Sequence, residues 1–185
     1  MSRCNGLLLL AASLLWGGVS TAQTIYRSSA RPATEIVADF PFDIEVLRSG
    51  GGEDSLRLRT DELLRENLGK RKTVMLFWLT TCRPCRDELA ALEGVLPSWR
   101  EQVDFALVPV SIDFPKRAGD YHARAAAYPW PSYLDVDREF PVVLPGRLNG
   151  VPQVFVYDER GELVYHKRKY TPGDLEVLAD ILGVK

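Results

Sequence analysis

The chain has 185 residues, which is enough for one domain with a substantial hydrophobic core. Hydrophobic residues make up 46% of it and aromatic residues 10%, a composition that is typical of globular proteins and excludes wholesale disorder. The formal net charge of −2 is mixed along the chain, so it gives no reason to expect nucleic acid or an anionic membrane as a partner.

The first 22 residues have the pattern of a secretory signal. Arg3 provides a short positive region, residues 6–16 form a leucine-rich apolar run, and residues 20–22 are the small residues that a signal peptidase reads. The apolar run is shorter than the roughly 18 residues expected of a membrane-spanning helix. We therefore predict cleavage before Gln23 and a periplasmic or other extracytoplasmic location, with a retained membrane anchor as the alternative.

Export determines which cysteines remain in the mature protein and which roles they can have. Cys4 precedes the apolar run and leaves with the signal, so the mature chain keeps Cys82 and Cys85. Disulfides persist outside the cytoplasm, but a structural bridge normally closes a long loop, because that constrains the unfolded chain most. A bridge between cysteines this close constrains very little. The pair therefore favours a redox role over a structural one.

The N-terminal part of the mature chain predicts a small β extension before the main fold. Residues 23–35 are polar and predict a flexible linker, which places the folded domain at 36–185. Its first elements are predicted as an extended segment over Phe40–Val46, a turn over Ser49–Gly52, a strand over Leu56–Leu58 and a helix over Asp61–Leu68.

The clearest pattern in the chain surrounds the two cysteines. Thr73–Leu79 is a short, nearly continuous apolar run, which predicts a central strand covered on both faces. A helix is predicted from about Arg83, with Pro84 in its first turn, where no backbone donor is needed. Its buried face is predicted from residues at helical spacing, namely Cys85, Leu89, Leu92 and Leu96. Pro97 is expected to end or kink this helix.

The rest of the chain predicts an α/β fold with a mixed sheet. The elements are a buried strand over Val103–Ile112, a helix over Lys116–Ala127, an irregular loop over Tyr128–Pro145, a hairpin of Val154–Tyr157 with Leu163–Tyr165, and a last helix over Asp174–Leu182. The strand-helix-strand portion implies parallel pairing with a right-handed crossover, whereas the hairpin implies antiparallel edges. Helices are expected to flank this central sheet.

The Cys-x-x-Cys motif fits either redox chemistry or metal binding by itself, but its position between a buried strand and a helix favours redox chemistry. Cys82 falls at or near the helix N-cap, beside unpaired amide donors and the positive end of the helix dipole. Arg83 adds a positive charge. These effects stabilise a thiolate, the attacking species in disulfide exchange. Cys85 lies one turn further along the helix and is placed to resolve the mixed disulfide.

With these residues identified, the chain resembles the thioredoxin superfamily, and within it the exported TlpA-like branch of thiol-disulfide oxidoreductases. The resemblance runs from about Ile36 to the C-terminus. It rests on Phe77-Trp78, the Cys82-Arg83-Pro84-Cys85 motif, Glu88 and Gly150-Val151-Pro152.

The resemblance implies a thioredoxin-like fold with a redox-active Cys82–Cys85 disulfide. It implies a cis proline at Pro152 opposite the cysteines, and it makes Val151 the residue whose backbone receives an extended protein substrate. It also implies a reductant of protein disulfides that receives electrons from a membrane protein. The Arg83-Pro84 pair, by contrast, favours a stable thiolate and hence a better oxidant.

The chain departs from the superfamily pattern at several positions. Leu76 stands where cytoplasmic thioredoxins have a buried aspartate, so Glu88 becomes the candidate acid–base group. Its alternative role is to stabilise the helix N-terminus through the dipole. Thr81 stands where a tryptophan often precedes the first cysteine, and Ala90 replaces a helix proline. Trp78 fits either the floor of the active site or the plain core.

Other chemistries lack their residues or their spacing. In peroxidases of this fold, a threonine stands three residues before the reactive cysteine. This chain has Leu79 at that position. His122 and His166 lack the paired local spacing of structural zinc sites. Copper delivery or non-catalytic binding on the same fold is the alternative function, with His166 as the only third ligand available to it.

The expected partners follow from this reading. We predict no metal and no other cofactor, protein dithiols or disulfides as substrates, a membrane protein as electron donor, no nucleic acid, and a monomer. The basic run 167–169 is interpreted as a solvated strand end rather than as a binding patch.

Overall fold

The computed structural model describes residues 45–50, 53–59, 66–67, 69–143 and 150–185. The predicted signal at 1–22, the predicted linker at 23–35 and residues 36–44 of the domain lie outside the described residues. So does most of the helix predicted over Asp61–Leu68, of which Glu66 and Asn67 are described and helical.

The sheet that organises the domain is mixed, as the sequence predicted, and has seven strands in the described part of the chain. Its strands are β1 Glu45–Gly50, β2 Glu53–Arg59, β3 Lys72–Trp78, β4 Phe105–Ser111, β5 Ser132–Asp135, β6 Gln153–Tyr157 and β7 Leu163–Arg168. They are ordered β2-β1-β5-β4-β3-β6-β7 across the sheet. The three central strands β5, β4 and β3 run parallel to one another, and the pairs toward both edges are antiparallel. The predicted N-terminal β extension is therefore the β1–β2 hairpin at one edge.

Besides the helical residues Glu66 and Asn67, the described part of the chain contains four helices. They are α1 Arg83–Gln102, α2 Ala118–Ala125 after a 3-10 turn at Pro115–Arg117, the one-turn α3 Phe140–Val143, and α4 Asp174–Leu182. None of the helices in the described part of the chain combines the length and the apolar character needed to cross a membrane.

Strand β3 is buried on both faces, which confirms the reading of its apolar run. Alternate side chains of a strand point to opposite faces. Met75 and Phe77 accordingly enter one core cluster, whereas Val74, Leu76 and Trp78 enter the other. Helix α1 packs on the second cluster through its predicted stripe, Cys85, Leu89, Leu92 and Leu96, together with Trp99. The cysteine pair is thus placed after the carboxyl end of a strand that is buried on both faces.

The sequence predicted that Pro97 ends or kinks α1. Pro97 does not end the helix, which continues to Gln102. Proline removes one backbone hydrogen bond and costs about 3 kcal/mol in a helix interior. Leu96 and Trp99, on either side of Pro97, are both buried in the core. The last turn is also closed by a hydrogen bond from Val103 N to Trp99 O. Burial of the apolar face outweighs the local penalty.

The irregular loop predicted over Tyr128–Pro145 is also wrong, because β5 and α3 lie within it. Strand β5 is inserted between β1 and β4, with Ser132 opposite Ser49 and Tyr133 opposite Val110. Four residues with polar ends carry little strand signal of their own. Pairing with β1 on one side and β4 on the other holds these residues in a strand. Strand β1 also runs through Ser49 and Gly50, where the sequence predicted the start of a turn, because Ser49 pairs with β5 and Gly50 pairs with Glu53 of β2.

Candidate active site

The N-terminus of α1 places Cys82 as its N-cap residue, as the sequence predicted. Cys82 has extended backbone angles, φ −82° and ψ 107°, and its Sγ accepts a hydrogen bond of 3.2 Å from the backbone N–H of Cys85. Cys82 and Cys85 are joined by a disulfide bond. When the bond is reduced, the same N–H and the helix dipole favour a negative charge on the Cys82 sulfur.

The two sulfurs differ in their access to solvent. Cys82 is half-buried, and its neighbours Thr81, Arg83 and Pro84 are exposed. Cys85 is fully buried against the core that holds Leu89 and Leu92. A partner molecule can therefore approach Cys82 and not Cys85.

The loop before β6 faces Cys82 across the site. The Val151–Pro152 peptide bond is cis, as the family resemblance implied. The Val151 carbonyl oxygen lies 3.7 Å from Cys82 Sγ. A disulfide sulfur carries no proton, so this contact becomes a hydrogen bond only when Cys82 is a thiol. Gln153 holds the loop by donating a 2.8 Å hydrogen bond from Nε2 to the Gly150 carbonyl.

A buried carboxylate that the sequence analysis missed anchors the segment before Cys82. Asp113 follows β4 and is 1% exposed. Its Oδ1 accepts a 2.8 Å hydrogen bond from the Thr80 hydroxyl, and its Oδ2 accepts bonds from Thr80 N (2.8 Å) and Ser111 Oγ (2.7 Å). The available signal was Ser111-Ile112-Asp113, two polar residues where a buried apolar strand ends, beside the carboxyl end of β3.

Thr80 is held from a second side by Arg86. Its carbonyl accepts a 3.0 Å hydrogen bond from Arg86 Nη1. The donor and acceptor groups of this one residue are thus tied both to β4 and to α1. Because Thr80 precedes Cys82 by two residues, these bonds fix where the Cys82 sulfur lies relative to the sheet.

Glu88 is buried behind the disulfide, one turn after Cys85. Its side chain is 5% exposed, and within the described part of the chain its Oε2 has no hydrogen-bond partner. The pKa of Glu88 is raised from 4.5 to about 8, mainly by burial and in smaller part by the nearby charge of Asp174. Glu88 therefore carries a proton at pH 7, in contrast to a surface carboxylate that serves a helix dipole.

Trp78 lies beneath the site rather than in it. It is fully buried in the cluster that contains Cys85, with Tyr121 at 6.0 Å and Tyr128 at 6.1 Å between ring centroids. Phe77 points to the opposite face of the sheet, where it packs on Phe140 and Phe155. The structure therefore separates these two neighbours in sequence and leaves only Trp78 next to the cysteines.

The histidines lie apart from the cysteines in structural roles. His122 Nδ1 is 2.7 Å from Ser49 Oγ. His166 Nε2 is 2.9 Å from Gln153 Oε1, and its ring stacks on Phe155 at 4.2 Å. Within the ranges that the structure describes, no three His, Cys, Asp or Glu side chains come together in a way that could hold a metal ion.

This fold and this site define a thioredoxin-like protein with a Cys-x-x-Cys disulfide at the start of its first long helix. The model of the AhpC/TSA family matches residues 57–166, which is more than half of the chain. The chain therefore belongs to the AhpC/TSA family, and the thioredoxin superfamily recognised from the sequence is confirmed. No curated protein matches it in sequence.

Solved structures support the same fold. A thioredoxin-like protein from Porphyromonas gingivalis is 26% identical, with a TM-score of 0.61, and the match covers 79% of this chain and 90% of that one. A thiol:disulfide interchange protein of the thioredoxin family from Chlorobium tepidum is 18% identical, with a TM-score of 0.53 and coverage of 84% and 99%. The 2-Cys peroxiredoxin of Plasmodium vivax is 13% identical, with a TM-score of 0.57 and coverage of 75% and 91%. The last two are similar in fold alone.

Proposed function

We propose that this protein is an exported thiol-disulfide oxidoreductase that reduces disulfides in other proteins. The observation that carries the proposal is the asymmetry of the dithiol. Cys82 is half-buried at the helix N-cap, 3.7 Å from the Val151 carbonyl, and Cys85 is fully buried one turn further along. The Cys82 sulfur is accessible to a substrate, whereas the Cys85 sulfur can react only with Cys82.

The reaction follows from this arrangement in two exchanges. The Cys82 thiolate attacks one sulfur of the substrate disulfide, so that a Cys82–substrate bond forms and the substrate bond breaks. The released substrate sulfur leaves as a thiolate and takes up a proton. The Cys85 thiolate then attacks Cys82 Sγ, forms the Cys82–Cys85 bond and releases the second substrate sulfur. Two electrons pass from the protein dithiol to the substrate.

The ionised form of Glu88, a minority at pH 7 that grows as the pH approaches 8, is proposed as the proton acceptor for Cys85 in the second exchange. A general acid–base group works best when its pKa lies near the working pH, and burial raises the pKa of Glu88 to about 8. The substitution Glu88→Gln is expected to slow release of the mixed disulfide and to remove one ionisation from its pH–rate profile. An unchanged profile would leave water as the acceptor.

Val151 and Pro152 are proposed to receive the substrate chain. The Val151 carbonyl lies beside Cys82 Sγ, and the Pro152 carbonyl already accepts a 2.9 Å hydrogen bond from Lys169 N. Val151 is therefore the residue of this loop that can pair with an extended segment bound across Cys82.

The decisive test assigns separate roles to the two cysteines. Cys82→Ser should abolish reduction of a protein disulfide, because no other thiol reaches the substrate. Cys85→Ser should accumulate protein joined to substrate through Cys82. Cys4→Ser, which changes a residue of the predicted signal, is the matched control and should retain full activity.

Alkylation of the reduced wild-type protein checks the same assignment independently. Cys82 should react fast and Cys85 slowly with a bulky reagent. Equal labelling rates, or a fully active Cys82→Ser variant, would contradict the proposal. A parallel assay with hydrogen peroxide should show only slow turnover, because Leu79 offers no hydroxyl where peroxidases of this fold carry threonine.

The proposal also includes export of the protein from the cytoplasm and a donor that supplies it with electrons. A reductant outside the cytoplasm must itself be reduced, and we propose a membrane protein with an exposed dithiol for this step. The mass of the protein purified from its own cells tests the location. A mature form that begins at Gln23 is expected, and an intact Cys4 in that form would instead favour a retained anchor.

A further inference from the structure

Two open grooves flank Cys82. The first, with a volume of about 470 Å³, is lined by Thr80, Thr81, Arg117, Asp120 and Arg124, among others. The second, of about 320 Å³, is lined by Gly150, Val151, Pro152, Arg168 and Lys169. We call them the α2 groove and the proline-loop groove.

The nucleophilic sulfur lies between the two grooves. Thr81 of the α2 groove is bonded directly to Cys82, and Val151 of the proline-loop groove has its carbonyl 3.7 Å from Cys82 Sγ. An extended polypeptide whose cysteine meets Cys82 therefore has its two flanks directed toward the two grooves. The residues on either side of the substrate cysteine come within reach of the side chains that line them.

Basic side chains dominate both linings. In the α2 groove, Asp120 is already paired with Arg117 at 3.1 Å, which leaves Arg124 as the excess charge. Among the described residues, the lining of the proline-loop groove contains Arg168 and Lys169 and no acidic side chain, and the nearby Asp174 is paired with Lys167 at 3.2 Å. The exposed Arg83 lies between the grooves, next to Cys82.

This concentration of positive charge is local to the redox face. The chain as a whole has a formal net charge of −2, with 25 acidic and 23 basic residues. A charged cleft on a protein of opposite net charge attracts its partner at a distance and raises the association rate by 10–10³-fold, and salt weakens the attraction.

Resting on the proposed function, we propose that the protein selects polypeptide substrates with acidic residues on both sides of the reacting cysteine. On this proposal the basic run 167–169 is part of the substrate surface as well as a solvated strand end. Arg168 and Lys169 border the proline-loop groove, and Lys167 is paired with Asp174.

The test uses three peptides that differ only around one cysteine, which is flanked on both sides by glutamate, by serine or by lysine. Each peptide carries the same coloured aryl thiol in disulfide linkage. Attack of the Cys82 thiolate on the peptide sulfur forms the Cys82–peptide bond, breaks the bond to the aryl thiol and releases it as a thiolate. Rates with the reduced protein are divided by rates with dithiothreitol, which removes the intrinsic reactivity of each peptide.

The glutamate peptide should react about tenfold faster than the lysine peptide at low ionic strength, and the ratio should shrink toward one in 0.5 M salt. The double variant Arg124→Glu/Lys169→Glu should reverse the ratio. Arg100→Glu, a charge reversal in the last turn of α1 and far from Cys82, is the control and should keep the wild-type preference.

The outcomes separate this proposal from the one on which it rests. If all three peptides react rapidly at equal normalised rates, the acidic preference is wrong and the oxidoreductase function stands. If none reacts although Cys82 is alkylated normally, the oxidoreductase function itself is wrong. A salt-independent preference for glutamate would also overturn the electrostatic explanation.

Discussion

Two buried carboxyl groups lie on either side of the start of α1, and they differ in the hydrogen bonds that they accept. Asp113, on the sheet side, accepts three hydrogen bonds of 2.7–2.8 Å from Thr80 and Ser111. Glu88, within the helix, is almost as buried, yet within the described residues its Oε2 has no hydrogen-bond partner. Asp113 accepts from Thr80, two residues before Cys82, and Glu88 follows Cys85 by three residues. Since both are buried, burial alone does not determine their roles.

The two groups differ in their hydrogen-bond donors. Asp113, which accepts three hydrogen bonds, is held as a fixed anchor. The pKa of Glu88 rises to about 8 because burial disfavours its charged form, and the nearby charge of Asp174 contributes to the same rise. Asp113 therefore positions the loop that carries Cys82, whereas Glu88 can take up and release a proton at the pH at which thiols react.

The largest effect is expected for Asp113→Ala. Three donors would lose their acceptor, two of them on Thr80, so the free energy of unfolding should fall by about 4 kcal/mol. Chemical denaturation of the oxidised protein measures it. Asp120→Ala, which removes an exposed carboxylate paired with Arg117, should cost less than about 1 kcal/mol. If both variants lost the same free energy of unfolding, Asp113 would not be the anchor of this segment.

Glu88→Gln should change how stability depends on pH. The pKa of Glu88 is raised on folding from 4.5 to about 8, so the folded state holds a proton that the unfolded state releases between these values. Wild-type stability contributed by this proton is complete below pH 4.5 and is lost as pH rises through 8. The loss relative to the variant is at most about 1.4 kcal/mol per pH unit, or about 3 kcal/mol between pH 5 and 8.

Denaturation of both proteins across this range, with the disulfide kept intact so that no thiol titrates, provides the measurement. The pKa of Asp135 is also raised, to about 6, but Asp135 is present in both proteins and cancels in the difference. Glu93→Gln, at an exposed position of the same helix, is the matched control. Parallel stability curves for wild type and Glu88→Gln would mean that Glu88 is ionised and solvated in the folded protein.

The smallest effect is expected for Thr80→Val, which tests a single bond of the Asp113 anchor. The substitution keeps the shape and the backbone N–H but removes the hydroxyl that donates to Asp113 Oδ1. A cost of about 1–2 kcal/mol is expected, since one buried acceptor loses a donor. Thr81→Val, at the exposed neighbouring position, should change stability by less than about 0.5 kcal/mol. A neutral Thr80→Val would show that the backbone bond alone holds the loop.

Much of the fold was readable from the sequence because its signals are local. The apolar run of β3, the helical stripe through Cys85 and Leu89, and the hairpin turn near Gly161 each depend on neighbours along the chain. The same signals place Cys82 at a helix N-cap. Strand β5 and the continuation of α1 past Pro97 escaped prediction, because sheet pairing and core burial from distant residues outweigh the local preference.

The sequence by itself determined that two cysteines stand at the junction of a buried strand and a helix, because periodicity and capping are properties of short segments. Only the tertiary structure decided what surrounds them. It brought Asp113 to Thr80 across 33 residues and the Val151 carbonyl to Cys82 across 69. It also decided that Glu88 is buried with no donor at Oε2 among the described residues, since the environment of a helical side chain depends on which elements pack against that face.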